Sequence, residues 1–154
     1  LARWPVAGGE TVTGGSPRYQ IYRTRDGRYI AAAPLEDKFW ANFVAIVGLP
    51  EGLADDGIDP QATRRAVAER IAARDAEDWI GAFSGVDVCC SLVRSLEEAL
   101  QDGHWPARKL FDRKLLLAGR GLPALPSVVA PDFRDGEVTA EAPRLGSANP
   151  SVPE

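Results

Sequence analysis

Methionine is absent from this 154-residue sequence, histidine occurs once and cysteine twice. His104 and the adjacent pair Cys89-Cys90 offer no spacing that would assemble a zinc site, so no metal centre is expected. Neighbouring residues of a strand point to opposite faces, which denies the two cysteines an unstrained disulfide and implies a reducing, hence cytoplasmic, compartment. Long apolar runs are also missing. Ile30 to Leu35 and Leu115 to Ala118 fall far below the roughly 18 residues that cross a bilayer, so no membrane span is expected. Basic residues are outnumbered by acidic ones, 18 to 22, leaving no global positive field for a nucleic-acid backbone. No G-x-S-x-G elbow is present, and the glycine pairs match neither a Walker loop nor a dinucleotide fingerprint. Leu1 stands where an initiator methionine would, and no signal-peptide layout follows it. The sequence therefore reads as a piece of something longer.

What remains, 45% hydrophobic and 26% charged residues, is the composition of a soluble globular domain. Residues 1–18 hold Pro5, Gly8, Gly9, Gly14, Gly15 and Pro17, too many backbone-special residues for a regular element, and read as a lead-in loop or linker. Tyr19–Thr24 and Arg28–Ala33 flank Arg25-Asp26-Gly27, a strong turn signal, and predict a β-hairpin. The period then becomes helical, with Phe39, Trp40, Phe43, Val44 and Val47 forming one stripe that Gly48 and Pro50 stop. After an acidic connection over 51–58, Asp59-Pro60 is an N-cap followed by proline in the first turn, predicting a helix to about Ala73. Asp75 caps a shorter helix with Trp79, Ile80 and Phe83 on its buried side. A strand is expected over Asp87–Val93, with both cysteines as small buried apolar residues. Ser95 and Glu98 form a capping box opening a helix to Gln101, which His104 caps or terminates. Leu110–Leu117 is strand-like, and the chain beyond Gly119, punctuated by proline, is expected to be extended or irregular. The fold class is α+β, a small antiparallel sheet with several short helices and an extended C-terminal tail. The domains expected are a small domain over 19–118 and a tail over 119–154.

Few residues could carry chemistry. The pair Gly14-Gly15 suits either a plain linker or a loop that approaches a ligand closely. Glu36 lies where strand becomes helix, and a carboxylate there favours the positive end of the helix dipole, which alone would account for it. Arg64, Arg65 and Arg70 read as a solvated helix face, with a contact to a ligand phosphate as the other reading.

The run from Gly14-Gly15-Ser16-Pro17-Arg18-Tyr19 through Asp26-Gly27-Arg28-Tyr29-Ile30-Ala31 to Leu35-Glu36-Asp37-Lys38-Phe39-Trp40 resembles the later half of the family III CoA-transferases, a group that includes formyl-CoA and carnitine-CoA transferases and α-methylacyl-CoA racemases. The resemblance continues through Trp79, Phe83-Ser84-Gly85-Val86-Asp87-Val88-Cys89, Leu96-Glu97-Glu98-Ala99-Leu100, His104 and Phe111 to Pro143-Arg144-Leu145-Gly146. It implies an acyl-CoA enzyme that uses a coenzyme A thioester as substrate and binds no tight cofactor. Its partners would be a large N-terminal domain preceding Leu1 and a second copy in an interlocked homodimer, with the tail returning to the large domain. The catalytic aspartate, and in racemases its histidine partner, would lie in that large domain, leaving this chain inactive by itself.

Within this chain the resemblance implies that Glu36 is the glutamate with which racemases support the catalytic histidine, and that Gly14-Gly15 forms the substrate loop. In formyl-CoA transferases the glutamate is typically glutamine and the loop holds a longer glycine run. Here Gly14-Gly15 is only a pair, and both features lean toward the racemase branch. Asp37 departs from the family's common proline, Ser91-Leu92 from Thr-Pro, Gly103 from proline, and Ser147-Ala148-Asn149 from the usual ending after Gly146. Pro150 and Pro153 forbid an ordinary helix there. Two reactions fit, racemisation of a 2-methylacyl-CoA by α-proton transfer and CoA transfer between carboxylic acids. A non-catalytic assembly or dimerisation module is the alternative.

Overall fold

The computed structural model describes residues 7–125, 129–134 and 139–147. The chain is α+β and divides into two compact units, 1–93 and 94–154. In the first, β1 (Gln20–Arg23) and β2 (Tyr29–Ala32) form the hairpin, with Tyr22 opposite Ile30 and Gln20 opposite Ala32. Gly27, at φ +81, takes the left-handed position of the turn. The Asp26 carboxylate accepts from the Thr24 hydroxyl and from the Ala76 amide, and these bonds hold its pKa below the ordinary carboxylate value.

Three expected helices follow, α1 (Asp37–Val47), α3 (Pro60–Ile71) and α4 (Ala76–Phe83), and the stretch read as an acidic connection holds a further short one, α2 (Glu51–Ala54). Gly48 ends α1 in the left-handed conformation, returning its amide to the Val44 carbonyl. The Asp59 carboxylate caps α3 by accepting from the Ala62 amide. Asp75, expected to cap α4, instead gives both oxygens to Arg25 at 2.8 Å. Asp26 supplies the acceptor at that helix start. β3 is shorter than expected, Cys90–Leu92, and pairs antiparallel with β2 to complete the order β1-β2-β3.

One face of this sheet and one stripe of each long helix close a single core. Tyr22, Ile30, Trp40, Phe43, Val67, Ile71, Trp79 and Phe83 are buried in it. Four rings run through it in sequence: Trp40 to Phe43 at 5.6 Å, Phe43 to Phe83 at 6.0 Å, and Phe83 to Trp79 at 5.7 Å. Their polar handles are satisfied, as buried indoles and phenols require. Trp40 donates to the Ala54 carbonyl, Trp79 to that of Ile71, and Tyr22 to that of Pro17. Burial raises the Tyr22 phenol well above its usual value.

The reading of both cysteines as buried strand residues needs correction. Cys89 is exposed and sits at φ +50, a kink just before β3, whereas Cys90 is half-buried with its thiol on the Val88 carbonyl. Desolvation pushes the Cys90 thiol up to about 12. Because the thiolate is the reactive species, a thiol reagent at neutral pH is expected to modify Cys89 at least tenfold faster than Cys90. Peptide mapping after a short exposure checks this, and equal labelling would contradict it.

In the second unit Ser95 and Glu98 form the capping box of α5 (Leu96–Leu100). His104 does not terminate that helix. It opens α6 (His104–Ala107), its amide held by the Asp102 carboxylate at 2.9 Å. The strand expected over Leu110–Leu117 is confined to β4 (Lys114–Leu117). Two strands from the segment beyond Gly119 pair with it, β5 (Arg120–Pro123) antiparallel and β6 (Thr139–Glu141) parallel. The β4–β5 turn is Ala118-Gly119, both at positive φ as a two-residue primed turn requires. Pro150 and Pro153 lie outside the described residues. Among the described residues no helix is long and apolar enough to cross a membrane.

Candidate functional site

The Gly14-Gly15 loop precedes β1, and Glu36 follows β2, so the hairpin brings the two sequence-designated regions to the same end of the sheet. Between them Val12 to Gly14, Tyr19 to Ile21 and Ala31 to Ala33 line an open cleft of about 450 Å³, within the size range of small-ligand pockets. Ala31 and Ala33 put small side chains on this side of the strand, while the Ala32 side chain is buried in the core on the other face. Gly14 and Ala33 thus both line the cleft, and Ala33 is three residues before Glu36.

The glycine pair is a fixed structure rather than a slack linker. Gly14 sits at φ +106, in the region that excludes most side chains. A Cβ on Gly15 would lie 2.3 Å from the Gly9 carbonyl oxygen, a backbone atom that cannot turn aside. The Gly14 carbonyl accepts from the Gln20 amide and from Arg64 of α3 at 3.1 Å. Arg64, read from sequence as part of a solvated face, thus holds this loop and also pairs with Gln61 at 2.7 Å.

Glu36 is the N-cap residue of α1. Its backbone carbonyl accepts from the amides of Phe39 and Trp40, both at 3.0 Å, while its side chain makes no capping hydrogen bond and is exposed. The carboxylate stands at the positive end of α1 without being used to close the helix.

Arg18 joins these parts, and sequence reasoning gave it no role. Its Nε and Nη2 grip Asp56 at 2.8 to 3.1 Å, and its Nη1 donates to the Leu35 carbonyl at 3.0 Å and to Asp37 at 2.7 Å. Its guanidinium lies 5.2 Å from the Trp40 ring centroid. The Asp56 hydrogen bonds raise its pKa further, so it is a permanent cation. Asp56 is 38 residues away in sequence, a separation over which no local pattern could have signalled the pair. Among the described residues no cluster of three or more His, Cys, Asp or Glu could hold a metal ion.

Residues 3–149 match the family described as CoA-transferase family III. Alpha-methylacyl-CoA racemase of Mus musculus is 31% identical over 131 residues, which are 81% of this chain and 34% of that protein. The Homo sapiens protein of the same name is 28% identical over 117 residues, 72% of this chain and 30% of its own length. A CaiB/baiF CoA-transferase family protein of Caenorhabditis elegans is 24% identical over 101 residues, 66% of this chain and 29% of its own. The chain spans about a third of the length of these curated relatives. A solved structure of a point mutant of Rv3272 from Mycobacterium tuberculosis superposes with a TM-score of 0.62 at 14% identity, over 82% of this chain and 37% of that one, a likeness of fold.

Proposed function

This chain belongs to CoA-transferase family III, and from that premise we propose that it is the part of a cytoplasmic acyl-CoA enzyme that supplies Glu36 and a substrate loop to a racemase. The reaction is removal of the α-proton of a 2-methylacyl-CoA from one face and return of a proton to the other. The substrate is the coenzyme A thioester, and no tightly bound cofactor takes part. A large domain elsewhere in the full-length protein carries the catalytic aspartate and histidine, and two copies interlock so that one copy's small domain meets the other's large domain. By itself the chain is inactive. The matched relatives, about three times as long, support that arrangement.

The observation that carries this reading is the Glu36 carboxylate, exposed at the start of α1 and not committed to a capping bond. A carboxylate so disposed accepts the N–H of an imidazole. That fixes the tautomer and raises the basicity of the other ring nitrogen, which is what removal of a thioester α-proton demands. The acyl group lies in the cleft against Ala31 to Ala33, and the Gly14-Gly15 loop covers it. The tail returns to the large domain.

Incubating one stereoisomer of a 2-methylacyl-CoA with the full-length protein tests the reading, and chiral chromatography is expected to find it converging on an equal mixture. Retained configuration, with CoA passing instead to an added carboxylic acid, would overturn it in favour of CoA transfer, the chemistry named for the nematode relative. The loop makes its own prediction. Gly15→Ala forces the loop off the Gly9 carbonyl and is expected to lower kcat/KM by about tenfold, roughly 1.4 kcal/mol of transition-state stabilisation, with the Tm of the core little changed. Unaltered kinetics would show that the loop does not meet the substrate.

A further inference from the structure

We propose that Arg18 is the positioning residue of Glu36. This rests on the reading of Glu36 as a supporting acid/base group, and it deepens that reading by naming what aims the carboxylate.

Glu36 has no anchor of its own. It is exposed, it lies at the first, fraying turn of α1, and its side chain forms no cap. A carboxylate left so would spread over many rotamers, and alignment with a partner group would carry the entropy of gathering them. Both of its neighbours are fixed, however, by a single guanidinium. Arg18 Nη1 binds the Leu35 carbonyl on one side and the Asp37 carboxylate on the other. The same guanidinium is clamped on its far edge by Asp56 and rests on the Trp40 ring. Trp40 in turn donates to Ala54 at 2.8 Å, two residues before Asp56. The links make a closed ring: Arg18 to Asp56, along the chain to Ala54, to Trp40 of α1, and back to Arg18. The peptide on either side of Glu36 is thereby tied to the core.

The arrangement is built for direction more than for stability. Asp37 is 95% exposed while Arg18 and Asp56 are 19% and 15% exposed. An ion pair open to water on one side contributes little to folding, so what the Asp37 arm adds is a fixed geometry beside Glu36. Only arginine can do this. Its three nitrogens face three acceptors in one rigid fork, which a single ammonium cannot reproduce.

The test measures α-proton exchange by the full-length protein on 2-methylbutanoyl-CoA, with Arg18→Gln introduced alone and into a Glu36→Gln background. Alone, Arg18→Gln is expected to lower kcat about tenfold and leave KM within about twofold. In the Glu36→Gln background it is expected to change nothing further, because the group it aims is already gone. A purely structural loss would shrink the active fraction in either background, so a second tenfold fall there overturns the proposal. Should Arg18→Gln not fold, Arg18→Lys keeps a cation for Asp56 and loses the fork, and the same loss of kcat, confined to the Glu36 background, is expected. A parental rate for Arg18→Lys overturns the proposal. Glu36→Gln exchanging at the parental rate would instead sink the acid/base reading of Glu36, and the proposal with it. The two failures are thus distinguishable.

Discussion

Glu36→Gln in the full-length protein is expected to slow α-proton exchange by on the order of 10 to 10⁴-fold, the range of general acid–base assistance. Glutamine keeps the size of the side chain and removes its charge. Its amide oxygen still accepts an N–H, but a neutral acceptor stabilises an imidazolium far less than a carboxylate does, so the base that takes the α-proton is weakened. The structure separates this effect from folding. Glu36 is exposed and contributes no capping bond, so losing its charge at the helix start moves stability by no more than about 1 kcal/mol. A slow enzyme with a melt changed little is therefore the expected outcome, read by exchange kinetics beside thermal unfolding. Exchange at the parental rate would remove Glu36 from the mechanism.

Trp79→Ala is expected to have the largest effect on stability, a loss of about 3 to 5 kcal/mol. The indole is 1% exposed, stacks on Phe83, lies under the Arg74 guanidinium at 4.8 Å and donates to the Ile71 carbonyl. It therefore joins α4 to the C-terminal end of α3. Truncation leaves a cavity at the end of the four-ring row and removes the donor from a carbonyl at the end of a helix. For a protein of this size such a loss lowers Tm by roughly 6 to 20 °C. Denaturant melts monitored by circular dichroism measure it, and a loss under about 1 kcal/mol would mean that the ring row does not hold the first unit together.

Which parts of this fold could be read in advance depended on how local their signals are. Asp26-Gly27, Asp59-Pro60 and the Ser95–Glu98 box each encode one backbone event within four residues, and the hairpin, α3 and α5 stand where those signals put them. The β4–β5 turn was not legible. Its primed geometry needs positive φ at Ala118 as well as Gly119, and alanine is a poor advertisement for a conformation its Cβ disfavours. Cys89 misled for the same reason, since its φ of +50 breaks the strand the apolar run suggested.

The candidate site was legible in parts and not in its assembly. Glu36 was marked by the change of period from 2 to 3.6, which suggested a helix-end role, and it was given a chemical role only through the resemblance. The pairs that hold the site, Arg18 with the Asp56 carboxylate and Arg64 with the Gly14 carbonyl, are separated by 38 and 50 residues, and nothing in a single sequence joins groups across such distances. Asp37, which departs from the proline of the resembled run, acquires a reason only when Arg18 is seen beside it.

The most direct measurement is proton NMR of a 2-methylacyl-CoA in heavy water with the full-length protein. The account requires the α-proton signal to disappear and the doublet of the neighbouring methyl to collapse as deuterium enters, at a rate that Glu36→Gln reduces. A folded protein that binds coenzyme A yet leaves the α-proton in place would contradict it.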